Sequence, residues 1–314
     1  MFSPRTKAVV AGSAVLVAVA TGILLTSGLT RSGASGPGPR AAPASSATPS
    51  PSRSPSNPPV SPAPVQHPNP FSATLSSYVA SRSGSVLAAV YDIGTGQTWN
   101  LRLGSPQPEA SIVKVDILET LLARSGDADS GTGLPATESS LAQQMIEDSD
   151  NDAATSLWYA SGGPGKIRAF NATAGLRQTS PSRCVQCPGF PWPGWGLTTT
   201  TAADQITLLR QLFTPGSLLT RGQRSYVLRL MEHVTPAQRW GVSGGVPLRA
   251  TVALKNGWLP LNTAGTDWQI NSIGWISGRG RDYLIAVLTT GNPTEQYGID
   301  TITGLSAIVW KAMR

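Results

Sequence analysis

The sequence predicts an α/β (α+β) domain with two lobes over residues 71–314, and two observations lead to this prediction. Strand-like alternation of apolar and polar residues occurs near both ends of the domain, so one sheet must join residues that are far apart in the chain. Between those ends, apolar residues recur at helical spacing, which predicts an all-helical second lobe. A cleft between two such lobes is the usual place for an active site.

Residues 1–30 are predicted to be an N-terminal membrane anchor or signal segment. The 22 residues from Ala8 to Leu29 carry no charge and are long enough to cross a bilayer as a helix. Arg5 and Lys7 precede them, an arrangement that keeps the N-terminus cytoplasmic and sends the rest of the chain outside. A cleaved signal peptide is the alternative, and the lack of a small-x-small cleavage pattern after the run favours a retained anchor.

Residues 31–70 are predicted to be a disordered Pro/Ser/Ala-rich linker. They hold 12 of the 26 prolines and few large apolar residues, so they cannot bury enough surface to fold. Proline-rich linkers are extended. On an outward-facing anchor, such a spacer suits work within a cell wall.

The charge of the chain does not indicate a nucleic-acid partner. The formal net charge is +7, but residues 71–314 hold 19 Lys and Arg against 17 Asp and Glu. A nucleic-acid surface needs basic residues gathered on the fold itself. The two histidines, His67 and His233, indicate no metal site, no cofactor is implied, and we expect a monomer.

The first half of the domain begins with a hairpin. Strands are predicted over 86–91 and 97–101, joined across a Gly-containing turn. A helix then begins near Ala110, because apolar residues follow it at helical spacing until Gly126. The next helix spans 139–147, with Leu141 and Met145 on its buried side, and another runs up to the glycine pair at 162–163. Pro164 opens a further helix that Gly175 closes.

The second half begins with a stretch that has no regular period. Residues 175–198 are rich in Pro, Gly and Trp and contain both cysteines. Helices are predicted over 200–213 and 220–233, strands over 251–255, 268–276 and 283–290, and a closing helix over 298–313. In the first of these strands Thr251, Ala253 and Lys255 alternate with Val252 and Leu254, which places Lys255 on the cleft side.

Ser111 and Lys114 are the candidate reactive pair. Residues three apart on a helix share one face, so the lysine can lie near the serine hydroxyl. Serine becomes an effective nucleophile only when an adjacent base takes its proton. Lysine can be that base if burial or a second cation lowers its pKa, and Lys255 is the candidate second cation.

Three short motifs occur in one order along the domain: Ser111-x-x-Lys114, Ser149-x-Asn151 and Lys255-x-Gly257. This order resembles the signature of class A β-lactamases and penicillin-binding proteins. The resemblance covers residues 71–314 and implies the fold of those serine hydrolases: an antiparallel sheet flanked by helices, with an all-helical lobe.

The resemblance also implies catalytic roles. Ser111 would attack a carbonyl and form an acyl-enzyme, with Lys114 as proton acceptor. Ser149 would pass a proton to the departing nitrogen. Lys255 would lower the pKa of Lys114 and attract an anionic substrate.

Substrate contacts follow from the same resemblance. The backbone N–H groups of Ser111 and Trp258 would form the oxyanion hole. Asn151 would hold a substrate amide, and Asn256 would donate to a substrate carboxylate.

Several positions depart from the family pattern. No Asp or Glu lies between Asp152 and Asp204, where class A β-lactamases carry the glutamate that activates the deacylating water. Glu147 or Glu232 could replace it. Asn256 stands in place of a hydroxyl residue, and Trp258 is larger than the residue common there. These departures predict a substrate other than ordinary β-lactams.

Cys184 and Cys187 lie within the loop that replaces the acidic one. A local disulfide is the simplest interpretation in an oxidising compartment. A redox Cys-x-x-Cys pair ranks lower because no thioredoxin-like context surrounds it.

The sequence therefore predicts an extracytoplasmic, membrane-anchored or secreted serine hydrolase that acts through an acyl-enzyme. The expected substrate is a peptidoglycan stem peptide or a related D-amino-acid amide. Two alternatives stay open: a β-lactamase with a relocated deacylation base, and a non-catalytic module that binds β-lactams or wall fragments.

Overall fold

The computed structural model describes residues 67–126, 131–188 and 190–313. The predicted anchor and the linker up to residue 66 lie outside the described residues. Within the described ranges, no helix combines the length and the apolar character needed to cross a bilayer.

The described residues form an α/β domain, as the sequence predicts. Its α-helices are α1 (Ala73–Ala80), α2 (Val113–Arg124), α3 (Ala136–Glu147), α4 (Asn151–Ala160), α5 (Gly163–Ala174), α6 (Ala202–Arg210), α7 (Arg221–Glu232) and α8 (Glu295–Ala312). Its strands are β1 (Ser85–Asp92), β2 (Thr98–Asn100), β3 (Gln107–Pro108), β4 (Thr199–Thr200), β5 (Thr251–Pro260), β6 (Trp268–Gly278) and β7 (Arg281–Asn292).

Five of these strands form one sheet in the order β2-β1-β7-β6-β5, and each neighbouring pair is antiparallel. The pairing of β1 with β7 runs from Ser85 opposite Thr290 to Asp92 opposite Tyr283. The sheet therefore joins the two ends of the domain, as the strand pattern predicts. Strand β5 is an edge of this sheet, and β3 pairs with β4 separately.

Each face of the sheet packs on its own apolar core. One face contributes residues such as Ala253 and Ile273 to the core that holds α2 to α7. The other face contributes residues such as Leu254 and Ile285 to the core that holds α1 and α8. This alternation along β5 agrees with the predicted arrangement and directs Lys255 towards the helical lobe.

The structure corrects several predicted boundaries. The α1 helix was not predicted, and α6 ends at Arg210 rather than near residue 213. The buried positions of α3 are Ala142, Met145 and Ile146, whereas Leu141 is only half-buried. The strands near the C-terminus are longer than predicted, because pairing with neighbours continues beyond the apolar alternation.

Candidate active site

Ser111 lies in a single 3₁₀ turn, Ala110–Ile112, that leads directly into α2. The preceding Ala110 is buried and has φ of 51°, a left-handed conformation that is uncommon for a residue with a side chain. Such conformations persist where the surrounding structure enforces them, often at functional sites. The turn therefore presents Ser111 in a fixed, partly exposed position at the start of a helix.

Strand β5 lies against this turn at Gly257. A Cβ atom at residue 257 would lie 2.7 Å from the backbone nitrogen of Ser111 and 2.8 Å from the carbonyl oxygen of Glu109. Only glycine allows this approach. The third motif is thereby packed directly on the backbone of the first.

The Lys114 side chain is completely buried and bonds to the turn that joins α3 to α4. Its Nζ lies 2.6 Å from the carbonyl oxygen of Ser149, 3.1 Å from Ser149 Oγ and 2.8 Å from Asn151 Oδ1. Within the described ranges, Ser111 Oγ has no hydrogen bond to Lys114. The expected direct pairing of Lys114 with Ser111 is therefore replaced by contacts with the second motif.

Ser149 connects the two lysines. Lys255 Nζ, which is also completely buried, donates to Ser149 Oγ over 2.9 Å. Ser149 has φ of 57°. The next residue, Asp150, caps α4 by accepting from the backbone N–H of Ala153 at 2.7 Å. The turn thus holds Ser149 between the ammonium groups of Lys114 and Lys255.

Burial is the main cause of the lowered pKa values of the two lysines in this cluster. Burial lowers the pKa of Lys114 well below its ordinary value of 10.5, and the charge of Lys255 lowers it further, while Asp150 acts in the opposite direction. Burial lowers the pKa of Lys255 to about 7. A lysine with a lowered pKa can be neutral near physiological pH, the state in which it can accept a proton.

The register of β5 places the Trp258 N–H on the open edge of the sheet. Leu261 N–H donates to Asp267 O over 2.8 Å, and the pairing of β5 with β6 keeps the same register from there to Thr251. In an antiparallel pair, hydrogen-bonded positions alternate. Trp258 is therefore at a non-bonded position, with its N–H directed away from β6, on the side where Gly257 meets Ser111.

The structure contradicts the expectation for Asn256. Its side chain is buried, and Nδ2 donates to the carbonyl oxygens of Gln238 at 2.7 Å and Trp240 at 3.2 Å. Its Oδ1 accepts from Ser272 Oγ at 2.6 Å. Because these bonds engage both ends of the amide, Asn256 supports the strand rather than facing a substrate. The strand alternation that predicted the direction of Lys255 also predicts this opposite direction for Asn256.

A small cleft opens beside Ser111 and contains about 70 Å³ of space. The turn and α4 contribute Ala110, Ser111 and Asn151; the loop before β4 contributes Phe190, Trp192, Pro193, Gly194, Trp195, Gly196 and Leu197; and β5 contributes Trp258 and Leu259. Ordinary small-molecule pockets measure roughly 300–1,000 Å³. The large side chains of the loop and of Trp258 therefore narrow the cleft.

The loop over residues 181–198 carries the disulfide between Cys184 and Cys187. Gly194 packs so closely on Cys187 that a Cβ atom there would meet the sulfur. Trp195 Nε1 donates to Thr155 Oγ1 at 3.2 Å, and the Trp195 ring lies 5.0 Å from Lys114 Nζ. Through Trp195 this loop covers Lys114, in the segment where the sequence lacks an acid.

The two carboxylates considered as replacements do not reach the cleft. Glu147 accepts from Gln143 on the exposed side of α3, and the Glu232 carbonyl accepts from Arg239 at the end of α7. Neither residue lines the cleft. The carboxylate of Asp152 contacts the loop and accepts from Trp192 Nε1 at 3.3 Å.

Sequence reasoning missed the contact of Trp195 with Lys114 and a group of buried acids on or before α2. Glu109, Asp116 and Glu119 are completely buried, and the carboxyl oxygens of Glu109 and Glu119 have no hydrogen-bond partner within the described residues. Burial raises the pKa of all three carboxyl groups, that of Asp116 to about 7. Two acids three apart on one helix face were the available signal for Asp116 and Glu119.

Solved structures of β-lactamases share this fold. TLA-1 extended spectrum β-lactamase is 18% identical, with a TM-score of 0.66, and the match covers 76% of this chain and 96% of that one. The ancestral (GNCA) class A β-lactamase is 24% identical, with a TM-score of 0.62, over 77% of this chain and 99% of that one. At these identities the likeness establishes the fold.

The sequence comparison establishes the family: the chain belongs to the beta-lactamase enzyme family, whose model matches residues 125–313. The match includes Ser149, Asn151 and Lys255 and begins after Ser111 and Lys114. "Putative lipoprotein LppW" of Mycobacterium tuberculosis is 27% identical over 217 residues. That alignment covers 66% of this chain and 64% of the relative, so the chain spans less than two thirds of the relative's length.

Proposed function

We propose that this protein is an extracytoplasmic serine hydrolase that transfers acyl groups through Ser111. The observation that carries the proposal is the cluster of Lys114, Ser149 and Lys255, in which Ser149 Oγ lies 3.1 Å from Lys114 Nζ and 2.9 Å from Lys255 Nζ. The two buried lysines have lowered pKa values. Burying two adjacent lysine side chains costs free energy. A role in proton transfer accounts for the presence of both lysines here.

The chemistry follows from the hydrogen count at Lys114. A neutral Nζ has two hydrogens and one lone pair, and the Ser149 carbonyl and Asn151 Oδ1 can accept both hydrogens. The lone pair then remains to take the Ser111 proton as Oγ forms a bond to the substrate carbonyl carbon. The proton passes through Ser149 to the departing nitrogen as the C–N bond breaks.

The oxyanion would be held by the N–H groups of Ser111 and Trp258. Two observations support this pairing: Gly257, the neighbour of Trp258, packs on the Ser111 backbone, and the register of β5 directs the Trp258 N–H away from β6. Water then adds to the acyl-enzyme and releases the acid. None of the described residues lining the cleft carries a carboxylate that could activate this water. We therefore expect slow deacylation, which favours a peptidoglycan-type amide over a β-lactam as the substrate that is turned over.

The extracytoplasmic setting is supported by two observations. The uncharged stretch over 8–29 follows two cations, and the name of the mycobacterial relative describes a lipoprotein. Both cysteines of this chain lie in the disulfide, so attachment through the N-terminal hydrophobic segment is the route we propose.

The test is intact mass spectrometry of the full chain after incubation with penicillins, cephalosporins and an acyl-D-alanine thioester, with Ser111→Ala as the control. We expect a stable acyl adduct on the wild type that is absent from the variant. Rapid consumption of the β-lactams by the wild type alone would instead establish a β-lactamase. Neither adduct nor consumption with any probe would support the non-catalytic binding module.

A further inference from the structure

The cleft beside Ser111 is apolar on the side that receives the acyl group. Among the described residues that line it, none carries a charge, and most are aromatic or aliphatic. The two nearby lysines are completely buried and directed at Ser149 and at backbone carbonyls or Asn151. A charged group entering this cleft would lose water without gaining an ion pair, which is costly.

The direction of the leaving group identifies which part of the substrate enters the cleft beside Ser111. Lys114 and Ser149, which form the proposed proton path to the leaving atom, do not line the cleft. The cleft walls come instead from the loop at 190–197 and from β5 beyond Lys255, at Trp258 and Leu259. A carbonyl carbon on Ser111 therefore directs its leaving group towards Ser149 and its acyl substituent into the aromatic cleft.

The aromatic walls are held in place by contacts with the rest of the fold. The Trp192 and Trp195 rings are 6.3 Å apart, and their N–H groups donate to Asp152 and Thr155 of α4. The Trp258 ring lies 6.1 Å from the Trp240 ring. These contacts position the rings before any substrate arrives, which reduces the ordering cost of binding an apolar group.

Resting on the function proposed above, we propose that Trp192 and Trp258 are specificity-determining residues that select an uncharged, apolar acyl group. The residue or acyl chain whose carbonyl is attacked would carry no charge within reach of the cleft. Polar or charged parts of the substrate would lie on the leaving-group side or outside the cleft.

The test compares three 4-nitrophenyl esters with the full chain: the acetate, the valerate and the half-ester of glutaric acid, which has the same number of acyl carbons as valerate but ends in a carboxylate. Each rate is corrected for spontaneous hydrolysis. We expect kcat/KM for the valerate to exceed that for either other ester by about tenfold or more, since each buried methylene contributes about fourfold.

The variants Trp258→Thr and Trp192→Ala should each lower the ratio of valerate to acetate kcat/KM. Trp192 is half-buried, so its truncation tests the proposal even if Trp258→Thr folds poorly. Leu248→Ala, at a fully exposed side chain away from the cleft, is the matched control and should keep the wild-type ratio.

Equal Ser111-dependent rates for the valerate and the glutarate half-ester, or a faster half-ester, would overturn the selection of an apolar acyl group while leaving the nucleophile intact. Hydrolysis by Ser111→Ala at the wild-type rate would overturn the proposed function, and the specificity proposal with it.

Discussion

At the scale of single residues, the charge of Lys255 affects the pKa of Lys114, and this coupling can be measured. Both side chains are completely buried, and they share Ser149 Oγ at 3.1 and 2.9 Å. Burial is the first cause of the low pKa of Lys114, and the charge of Lys255 is the second. Removing that charge should therefore raise the pKa of Lys114.

The variant Lys255→Met tests this coupling. In the proposed mechanism acylation requires neutral Lys114, so the acylation rate should rise with pH as Lys114 loses its proton. With the neighbouring cation gone, this rise should move to higher pH. The measurement is the rate of adduct formation against pH by mass spectrometry, and Lys255→Arg, which keeps the charge, is the control. An unmoved profile in Lys255→Met would contradict the coupling.

At the scale of elements, the packing of β5 on the turn Ala110–Ile112 fixes the geometry of the proposed active site. Gly257 contacts the backbone from Glu109 to Ile112, which couples the third motif to the first without side chains. The same approach brings the outward N–H of Trp258 to the side of Ser111. A small backbone displacement here would change both proposed oxyanion donors together.

Gly257→Ala should therefore cost stability and acylation together. Its new Cβ would lie 2.7 Å from Ser111 N and 2.8 Å from Glu109 O, both backbone atoms that cannot rotate away. Overpacking of this kind costs about 1–3 kcal/mol. Denaturant unfolding and the acylation rate are the two measurements.

The matched control is Gly165→Ala in α5, where an added Cβ meets nothing within 4 Å. That change should increase stability by about 0.4–1 kcal/mol and leave acylation unchanged. Equal effects of the two substitutions would contradict the close contact at Gly257.

At the scale of the whole molecule, buried acids make stability depend on pH. Glu119 is completely buried without a hydrogen-bond partner within the described residues, and burial, followed by the charge of Asp116, raises its pKa well above 4.5. The folded state then binds more protons than the unfolded state. Stability due to this group is highest below about pH 4.5 and falls as pH rises, by about 1.4 kcal/mol per pH unit while pH lies between the two pKa values.

Glu119→Met should make this dependence shallower, because methionine has a similar volume and no proton to lose. The gain in the free energy of unfolding should be larger at pH 8 than at pH 5. Urea unfolding across that range is the measurement, and Gln178→Met, which removes no titratable group at an exposed position, is the control. Parallel pH profiles for wild type and Glu119→Met would show that Glu119 does not set the slope.

The sequence by itself determined the two-lobe α/β fold, the pairing of strands from both ends of the domain, and the order of the three motifs. These features follow from the local periodicity of apolar residues and from residue types, and both can be read from a short segment of the chain without knowing its neighbours in space. The direction of Asn256 was also available from the alternation along β5, although the family pattern suggested the opposite role.

Only the tertiary structure decided which groups meet. Lys114 bonds to Ser149 and Asn151 rather than to Ser111, Trp195 covers Lys114, and Glu119 is enclosed with no hydrogen-bond partner among the described residues. The two results for Lys114 depend on how α2 packs against the start of α4 and against the loop that carries the disulfide. These contacts join residues some 35 to 80 positions apart, and the burial of Glu119 requires several elements to pack around it. Both depend on the packing of the complete core, and no local pattern in the chain carries that information.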